Sequence, residues 1–343
     1  METTFFEHIR ENLLEQRRNL MTWLNTTPAQ KKQIRLGPAD EQAVQSHLQV
    51  LDTALAKAED KTLGVCEVCH DYVEPSRLEM DYTACVCVDH LSTAEKRMLE
   101  DELEFSQKVQ QSLLPQQIPD IPGLELAAFS QPARIVGGDY FDFFEYPDGS
   151  HGLAIADVVD KGVPASLLMP SLQASLRILV PESDSPASVA ERLNRLLSHN
   201  VQLTQFVTLF LARFDPQTRR LQYCNAGQNP PLLFHTDENG ECSLTWLQPT
   251  GAAIGLIEQA QFQTETITLS LGDILVLYTD GVTDTRSPDG EEFRSPRLAE
   301  FVRQNSQRSA TDLMQGLRRS LQAFSNGRPP EDDTTIVTCR IVG

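Results

Sequence analysis

Four aspartate-bearing stretches between residues 137 and 337 constrain the fold of this chain more than any other feature. They read Gly-Gly-Asp-Tyr-Phe-Asp (137–142), Ile-Ala-Asp-Val-Val-Asp-Lys-Gly (155–162), Tyr-Thr-Asp-Gly-Val-Thr-Asp (278–284) and Glu-Asp-Asp-Thr-Thr-Ile-Val (331–337). In three of them an aspartate stands where a hydrophobic, β-branched run meets a turn, the place from which a sheet edge aims several carboxylates at one point. Clustered carboxylates repel one another and resist desolvation, so such a cluster implies a hard cation, Mg²⁺ or Mn²⁺. A pair of such ions is suited to hydrolysing phosphate esters.

The surrounding pattern predicts how the stretches are carried. Strand-like runs occur at 124–130, 135–145, 152–158, 206–214, 220–225, 230–235, 265–269, 273–279 and 334–342. Helix-like stretches occupy 164–180, 186–202, 296–305 and 309–326. Strands outnumber helices and the helices come in consecutive pairs. That grouping predicts an α+β domain over 123–343, with packed antiparallel sheets flanked by helix pairs rather than a βαβ alternation.

The preceding residues read differently. Apolar positions 5, 9, 13, 20 and 24 predict a helix over 4–25. After a loop holding Pro28, Gly37 and Pro38, Asp40 caps a second helix over 41–60 with Val44, Leu48, Leu51 and Ala54 as its apolar stripe. A helical hairpin over 1–62 is the simplest arrangement. A cysteine-rich segment follows at 63–90. A linker helix and Pro-rich turn fill 91–122, where Leu91, Ala94, Met98, Phe105, Val109 and Leu113 fall near heptad spacing, interrupted at Glu102. Pro115, Pro119, Pro122 and Gly123 close the linker.

Composition narrows the partners. A formal net charge of −19 argues against general affinity for nucleic acid or anionic membrane. No apolar run approaches the ~20 residues of a spanning helix, and the first residues lack a cationic-then-apolar signal region, so a cytoplasmic protein is expected. The seven cysteines are unevenly placed: Cys66, Cys69, Cys85 and Cys87 crowd together, while Cys224, Cys242 and Cys339 are scattered. Crowding with a Cys-x-x-Cys pair suits a metal site better than a disulfide framework. Cys66, Cys69, Cys87 and His90 form two half-sites that complete a tetrahedron, and thiolates with imidazole select one Zn²⁺ over Mg²⁺. A rival set uses Cys85 in place of Cys87 or His90, and His70 adjoins Cys69 as a further competitor.

The segment Leu63-Gly-Val-Cys-Glu-Val-Cys69, with Pro75-Ser-Arg-Leu78 and Cys87-Val-Asp-His90 behind a helical hairpin, resembles the DksA/TraR zinc-finger family. The distance from Arg77-Leu78 to the third ligand is what favours Cys87 over Cys85 in that resemblance. His90 stands where the family commonly has a fourth cysteine. Some members bind RNA polymerase through an acidic hairpin tip, but this tip (26–40) is mainly basic. A structural or sensory zinc knuckle is the expectation.

From about 107 to 342 the chain resembles the SpoIIE-like branch of the metal-dependent, type 2C protein phosphatases. The matching residues are Val109-Gln-Gln-Ser-Leu-Leu-Pro115, Pro132-Ala-Arg-Ile-Val-Gly-Gly-Asp-Tyr-Phe-Asp142, Ile155-Ala-Asp-Val-Val-Asp-Lys-Gly-Val-Pro-Ala165, Asn225-Ala-Gly-Gln-Asn-Pro-Pro231, Thr279-Asp-Gly-Val-Thr-Asp284 and Asp332-Asp-Thr-Thr335. The resemblance implies an α-β-β-α sandwich with two Mn²⁺ or Mg²⁺ ions at one end. Asp139, Asp157 and the Val158 carbonyl would hold the pair, completed by Asp280 and Asp332, with Asp333 as the alternate to Asp332. Asp142 and Asp284 are second choices. Gly137, Gly138 and Gly281 permit close backbone approach and unusual φ beside these ligands. The implied chemistry is attack on phosphorus by a water activated between the ions, without a phosphoenzyme.

Two departures stand out within that branch. Asp160, followed by Lys161, occupies a usual glycine position, and Gln228 replaces a frequent histidine. The histidine that related eukaryotic enzymes carry just beyond the second aspartate is absent, and His151 and His199 read as surface or packing residues. The resemblance implies a protein-serine/threonine phosphatase acting on a regulatory phosphoprotein, such as an anti-sigma-factor antagonist in partner switching, under control of the zinc-bearing domain and dimeric through the linker helix. The alternative is a weak or inactive phosphatase-fold regulator that binds RNA polymerase or another protein through the hairpin.

Overall fold

The computed structural model describes residues 2–26, 41–74, 77–78, 81–133, 136–158, 163–198, 206–236 and 242–343. The hairpin tip at 27–40, Asp160, Lys161 and His199 lie outside them. The chain divides into two compact units, Met1–Glu102 and Leu103–Gly343.

In the first unit, α1 (Glu2–Thr26) and α2 (Glu41–Glu59) pack together. Ile9 and Leu13 of α1 meet Leu51 and Ala54 of α2, and the same apolar core continues into Leu63, Cys66, Val73, Leu78, Ala84 and Cys87 of the cysteine segment. Each fully buried aliphatic side chain contributes about 1.5–3 kcal/mol, so the segment shares the core that holds the helices. Arg17 with Asp52 and Lys57 with Glu67 are ion pairs on its surface. Helix α3 (Thr93–Leu113) then carries the chain from this unit into the next.

The second unit is built of ten strands among the described residues: β1 (Leu124–Gln131), β2 (Asp139–Glu145), β3 (His151–Val158), β4 (Val207–Asp215), β5 (Arg220–Ala226), β6 (Leu232–Thr236), β7 (Cys242–Trp246), β8 (Glu265–Thr268), β9 (Ile274–Tyr278) and β10 (Thr334–Ile341). They form two five-stranded sheets, ordered β1-β10-β9-β6-β7 and β2-β3-β4-β5-β8. Every named strand pair is antiparallel. Helices α4 (Val163–Leu179) and α5 (Pro186–Ser198) belong with the second sheet, and α7 (Arg294–Gln304) and α8 (Ala310–Phe324) with the first; α6 (Asp280–Thr283) is a single turn after β9.

Period-two alternation makes this a four-layer stack. Tyr140, Ala154, Ala156, Leu209 and Leu211 face α4 and α5, burying Leu172, Leu176, Val189 and Leu193. On the opposite face of the same strands, Phe141, Leu153, Ile155, Phe210 and Ala212 meet Leu233, Leu275, Leu277 and Val337 of the other sheet. Phe234, Ile274, Val276, Tyr278 and Ile336 turn outward onto Leu298, Val302, Leu313 and Leu317 of α7 and α8. Ser309 caps α8, accepting a hydrogen bond from the Asp312 amide at 3.0 Å, the kind of N-cap whose loss costs about 1 kcal/mol.

The expected α+β sandwich of antiparallel sheets with flanking helix pairs is therefore the observed fold. Two elements were not anticipated. β7 is an edge strand whose Ser243, Leu244 and Thr245 are exposed, so it has no buried alternate face to read. α6 is four residues long and contains Gly281, too short for a helical period.

Candidate metal centre

Asp139 opens β2 and Asp157 lies opposite it in register on β3. Directly opposed residues of an antiparallel pair share a face. Here it is the inter-sheet face, since Phe141 and Ile155 two residues along belong to the core between the sheets. The second strand pair contributes Thr279, just after β9, whose hydroxyl donates to Asp139 Oδ2 at 2.7 Å. The Thr335 amide donates back to Thr279 Oγ1 at 2.9 Å, and Ser130 and Thr335 hydroxyls lie 2.9 Å apart. A web of neutral hydroxyls thus stitches the two sheets together beside the first aspartate.

Asp139 is 6 % exposed. Burial, then the charges of Asp157 and Asp333, push its carboxyl well above the usual range, against the lowering effect of its hydrogen bonds from Thr335 and Thr279. Like-charged carboxylates in a dry site favour a proton or a cation.

Asp280 is the first residue of α6, and Gly281 behind it fits against the fourth stretch. A Cβ there would overlap the Asp333 carbonyl oxygen and lie 2.9 Å from its carbonyl carbon. At Gly137 a Cβ would lie 2.5 Å from Asp333 Oδ2. Close approach is the requirement at both positions. The expected unusual φ is not found, because Gly137, Gly138 and Gly281 are absent from the positive-φ residues.

The adjacent aspartates differ in what they do. Asp333 Oδ1 accepts from the Ala133 amide at 2.7 Å and Oδ2 from the Gly138 amide at 2.6 Å. That carboxylate braces the loop leading into Asp139, while Asp332 Oδ1 accepts from the Asp333 amide at 3.0 Å. Burial raises the Asp333 carboxyl, with the backbone amides of Ala133 and Gly138 pulling against it. Gln110 of α3 clamps the same loop, accepting from the Gly137 amide at 2.8 Å and donating to its carbonyl at 2.6 Å.

Several candidates lie elsewhere. Asp142, three residues from Asp139, faces the helices instead, with Tyr140 Oη donating at 2.6 Å, Arg177 Nε of α4 at 2.9 Å and the Phe143 amide at 2.9 Å. It is a buried ion-pair partner, neither a ligand nor a solvated turn carboxylate. Asp284 is exposed at the end of α6. His151 begins β3, at the opposite end of that strand from Asp157. The Val158 amide donates to the Gly138 carbonyl at 3.3 Å, tying the second stretch to the first.

In the other unit the structure brings together Cys66, Cys69, Cys87 and His90, whose ligand atoms all lie within 4.8 Å of one another. It is the one such group of three or more among the described residues. The aspartates of the other unit do not form such a group. Cys69 and Cys87 sulfurs are 3.7 Å apart and Cys87 Sγ is 3.0 Å from His90 Nδ1. A tetrahedral ion with bonds of about 2.3 Å to sulfur has edges of about 3.8 Å. Amides of Val68 and Cys87 donate to Cys66 Sγ at 3.4 and 3.3 Å. Burial opposes ionisation of Cys66, yet the amides of Cys69, Cys87 and Val68 together outweigh it and bring the thiol down to about 6. Burial and the neighbouring thiols push Cys87 up to about 11. Cys85 stands apart, its thiol raised by burial and by Glu67.

Known proteins bear on the larger unit. The family described as Stage II sporulation protein E (SpoIIE) matches residues 147–342. The phosphoserine phosphatase RsbU of Bacillus subtilis is 30% identical over 244 residues, which cover 71% of each chain. Protein IcfG of Synechocystis is 30% identical over 263 residues, covering 69% of this chain and 41% of IcfG. Among solved structures, the SiaA-PP2C domain of Pseudomonas aeruginosa superposes with a TM-score of 0.64 at 22% identity, over 73% of this chain and all of that one. The RsbU and RsbW domains of a Mycobacterium tuberculosis protein give 0.55 at 26% identity, over 67% of this chain and 63% of theirs.

Fold and relatives together define a protein-serine/threonine phosphatase. Within that class, matched over more than half of its length, the chain belongs to the SpoIIE family.

Proposed function

We propose that this phosphatase removes phosphate from phosphoserine or phosphothreonine on a regulatory phosphoprotein, an anti-sigma-factor antagonist of a partner-switching circuit. A pair of Mn²⁺ or Mg²⁺ ions would be held by Asp139, Asp157, the Val158 carbonyl, Asp280 and Asp332. The observation that carries the metal assignment is Asp139: buried, pressed by two like charges, and hydrogen-bonded only by neutral hydroxyls among its stated donors. That donor set fits hard divalent cations. When bound, such a pair supplies an activated water and neutralises phosphoryl charge. The chain's own residues orient the ligands: Thr279 and Thr335 aim Asp139, Asp333 and Gln110 fix the loop before it, and Gly281 lets the Asp280 turn approach the Asp333 backbone. The similarity to RsbU and to a chain carrying an RsbW domain supports the partner-switching substrate.

The knuckle of Cys66, Cys69, Cys87 and His90 would bind one Zn²⁺ and place the phosphatase under control of the first unit. Its geometry and amide-to-sulfur bonds support the zinc site. The exposed Met98, Phe105 and Val109 of α3, which are 64%, 68% and 45% exposed, support homodimerisation through that helix. No described helix is long and apolar enough to cross a membrane.

Hydrolysis of a phosphoserine peptide that requires Mn²⁺ and is abolished by Asp157→Asn with Asp280→Asn is the expected result; activity surviving both changes removes the site assignment. Metal analysis should find one zinc per chain, lost with Cys66→Ser and Cys69→Ser. Light scattering should show a dimer that Phe105→Glu dissociates.

A further inference from the structure

The connection between β5 and β6 presents a buried amide whose donor is not used. Gln228 is 3% exposed. Its Oε1 accepts from Thr208 Oγ1 at 3.0 Å and from the Asn229 amide at 3.0 Å, yet Nε2 has no hydrogen-bond partner. A buried donor left in this state is rare in native proteins and calls for an explanation, which an ordered water or a ligand oxygen would supply.

The loop around it is over-determined. The Gln228 amide donates to Asn225 Oδ1 at 2.8 Å, and Asn225, fully buried, turns its own Nδ2 to the Leu247 carbonyl at 3.0 Å. Thr250 grips the Asn225 backbone from both sides, through its hydroxyl at 3.0 Å and its amide at 2.8 Å. Gly227 has φ +75°, and a Cβ there would stand 3.0 Å from the Ala253 amide nitrogen. Such a loop holds one side chain in one place.

That place continues the row of the metal centre. Asp139 is opposite Asp157, and Asp157 is opposite Thr208, so the three side chains share the inter-sheet face across β2, β3 and β4. The Thr208 hydroxyl lies 3.3 Å from the Asp157 carbonyl oxygen and touches Gln228. Asp139 and Asp157 offer only acceptors when ionised, and a phosphoryl group likewise offers oxygens without donors at the sheet end. What a phosphoryl group needs from the row is a neutral N–H.

We propose that Gln228 Nε2, the unpartnered donor of the side chain whose Oε1 meets Thr208, binds an oxygen of the phosphoryl group and makes Gln228 a substrate-contact residue. This rests on the phosphatase function proposed above. Glutamine carries no charge at any pH, so its contact adds no titration to the rate profile.

The test uses the full-length protein with Mn²⁺ and inorganic phosphate as the probe, with phosphate and Mn²⁺ affinities measured separately by calorimetry. Gln228→Met removes the donor. Gln228→Leu also lacks the donor at similar size, and decides the matter if the methionine variant does not fold. A hydrogen bond to a charged oxygen predicts a loss of about tenfold or more in phosphate affinity, with kcat/KM for a phosphoserine peptide falling in parallel. Mn²⁺ affinity should remain within about twofold. Unchanged phosphate affinity overturns the proposal, as does a parallel loss of Mn²⁺ affinity, which marks Gln228 as a prop for the Asp157 strand alone. If the wild-type protein binds phosphate through Gln228 yet hydrolyses no phosphoserine peptide, the proposed substrate falls and the contact stands.

Discussion

Replacing Thr279 by valine deletes one hydroxyl at nearly constant shape, and the structure fixes what that hydroxyl does. It donates to Asp139 Oδ2 at 2.7 Å and accepts the Thr335 amide at 2.9 Å, with both threonines fully buried. The first bond favours the ionised carboxylate that a cation requires. Hydrogen bonds to charged groups contribute about 1.5–3 kcal/mol, so Thr279→Val should weaken Mn²⁺ binding by roughly ten- to one-hundred-fold. The second bond belongs to the fold whatever the metal. Leaving a buried amide unsatisfied costs about 1–3 kcal/mol, which for a domain of this size lowers Tm by about 2–12 °C. Calorimetric Mn²⁺ titration at pH 7.5 alongside thermal melts of the metal-free protein separates the two effects. Thr279→Ser keeps the hydroxyl and should recover most of both. If Thr279→Val binds Mn²⁺ as the wild type does, the hydroxyl does not orient Asp139 and the web between the sheets is only architectural.

Other consequences are equally direct. Because the Asp139 carboxyl is raised above its unfolded value by burial and by Asp157 and Asp333, the folded metal-free protein holds a proton that the unfolded chain has released. Its contribution to stability is therefore lost as pH rises from the ordinary carboxylate range through the raised value, whereas saturating Mn²⁺ should give a rise in Tm that grows with pH; a pH-independent metal shift would contradict this. Gly281→Ala forces the Asp280 turn away from the Asp333 backbone, and since a misplacement of about 1 Å can cost about a hundredfold, kcat should fall by that order in peptide assays. Gly137→Ala drives a methyl into the Asp333 carboxylate and should break its bonds to the Ala133 and Gly138 amides, read as a lower Tm. Arg177→Met strips Asp142 of its cation while Tyr140 still donates, with an expected loss of about 1–3 kcal/mol in urea melts and little change in Mn²⁺ affinity.

The sandwich was legible because strand alternation and paired helical stretches are local signals, repeated along the chain. The faces of individual residues were legible too: an odd separation from Asp139 puts Asp142 on the opposite side of β2, where Arg177 meets it. What no local pattern reveals is the partner. Thr279, Thr335 and Ser130 look like ordinary strand-end hydroxyls until the pairing of β9, β10 and β1 brings them within 2.9 Å of one another in successive pairs. The Gln110 clamp on Gly137 and the Asp333 brace on Ala133 and Gly138 likewise join segments that only the tertiary fold makes neighbours. The order of Asp332 and Asp333 could not be read from sequence, since their difference lies in which backbone amides each finds.

The position of β10 has a consequence for biogenesis. This strand, the last of the domain to be synthesised, lies inside its sheet between β1, the first, and β9. The first sheet therefore stays split, with β1 unpaired, until the final strand leaves the ribosome. The same event delivers Asp332 and Asp333 to the cluster. A nascent chain stalled before β10 has most of its hydrophobic residues but lacks an inner strand of its first sheet and the aspartates that precede it. Slow pairing of such distant strands also makes the unfinished domain a natural client for chaperones.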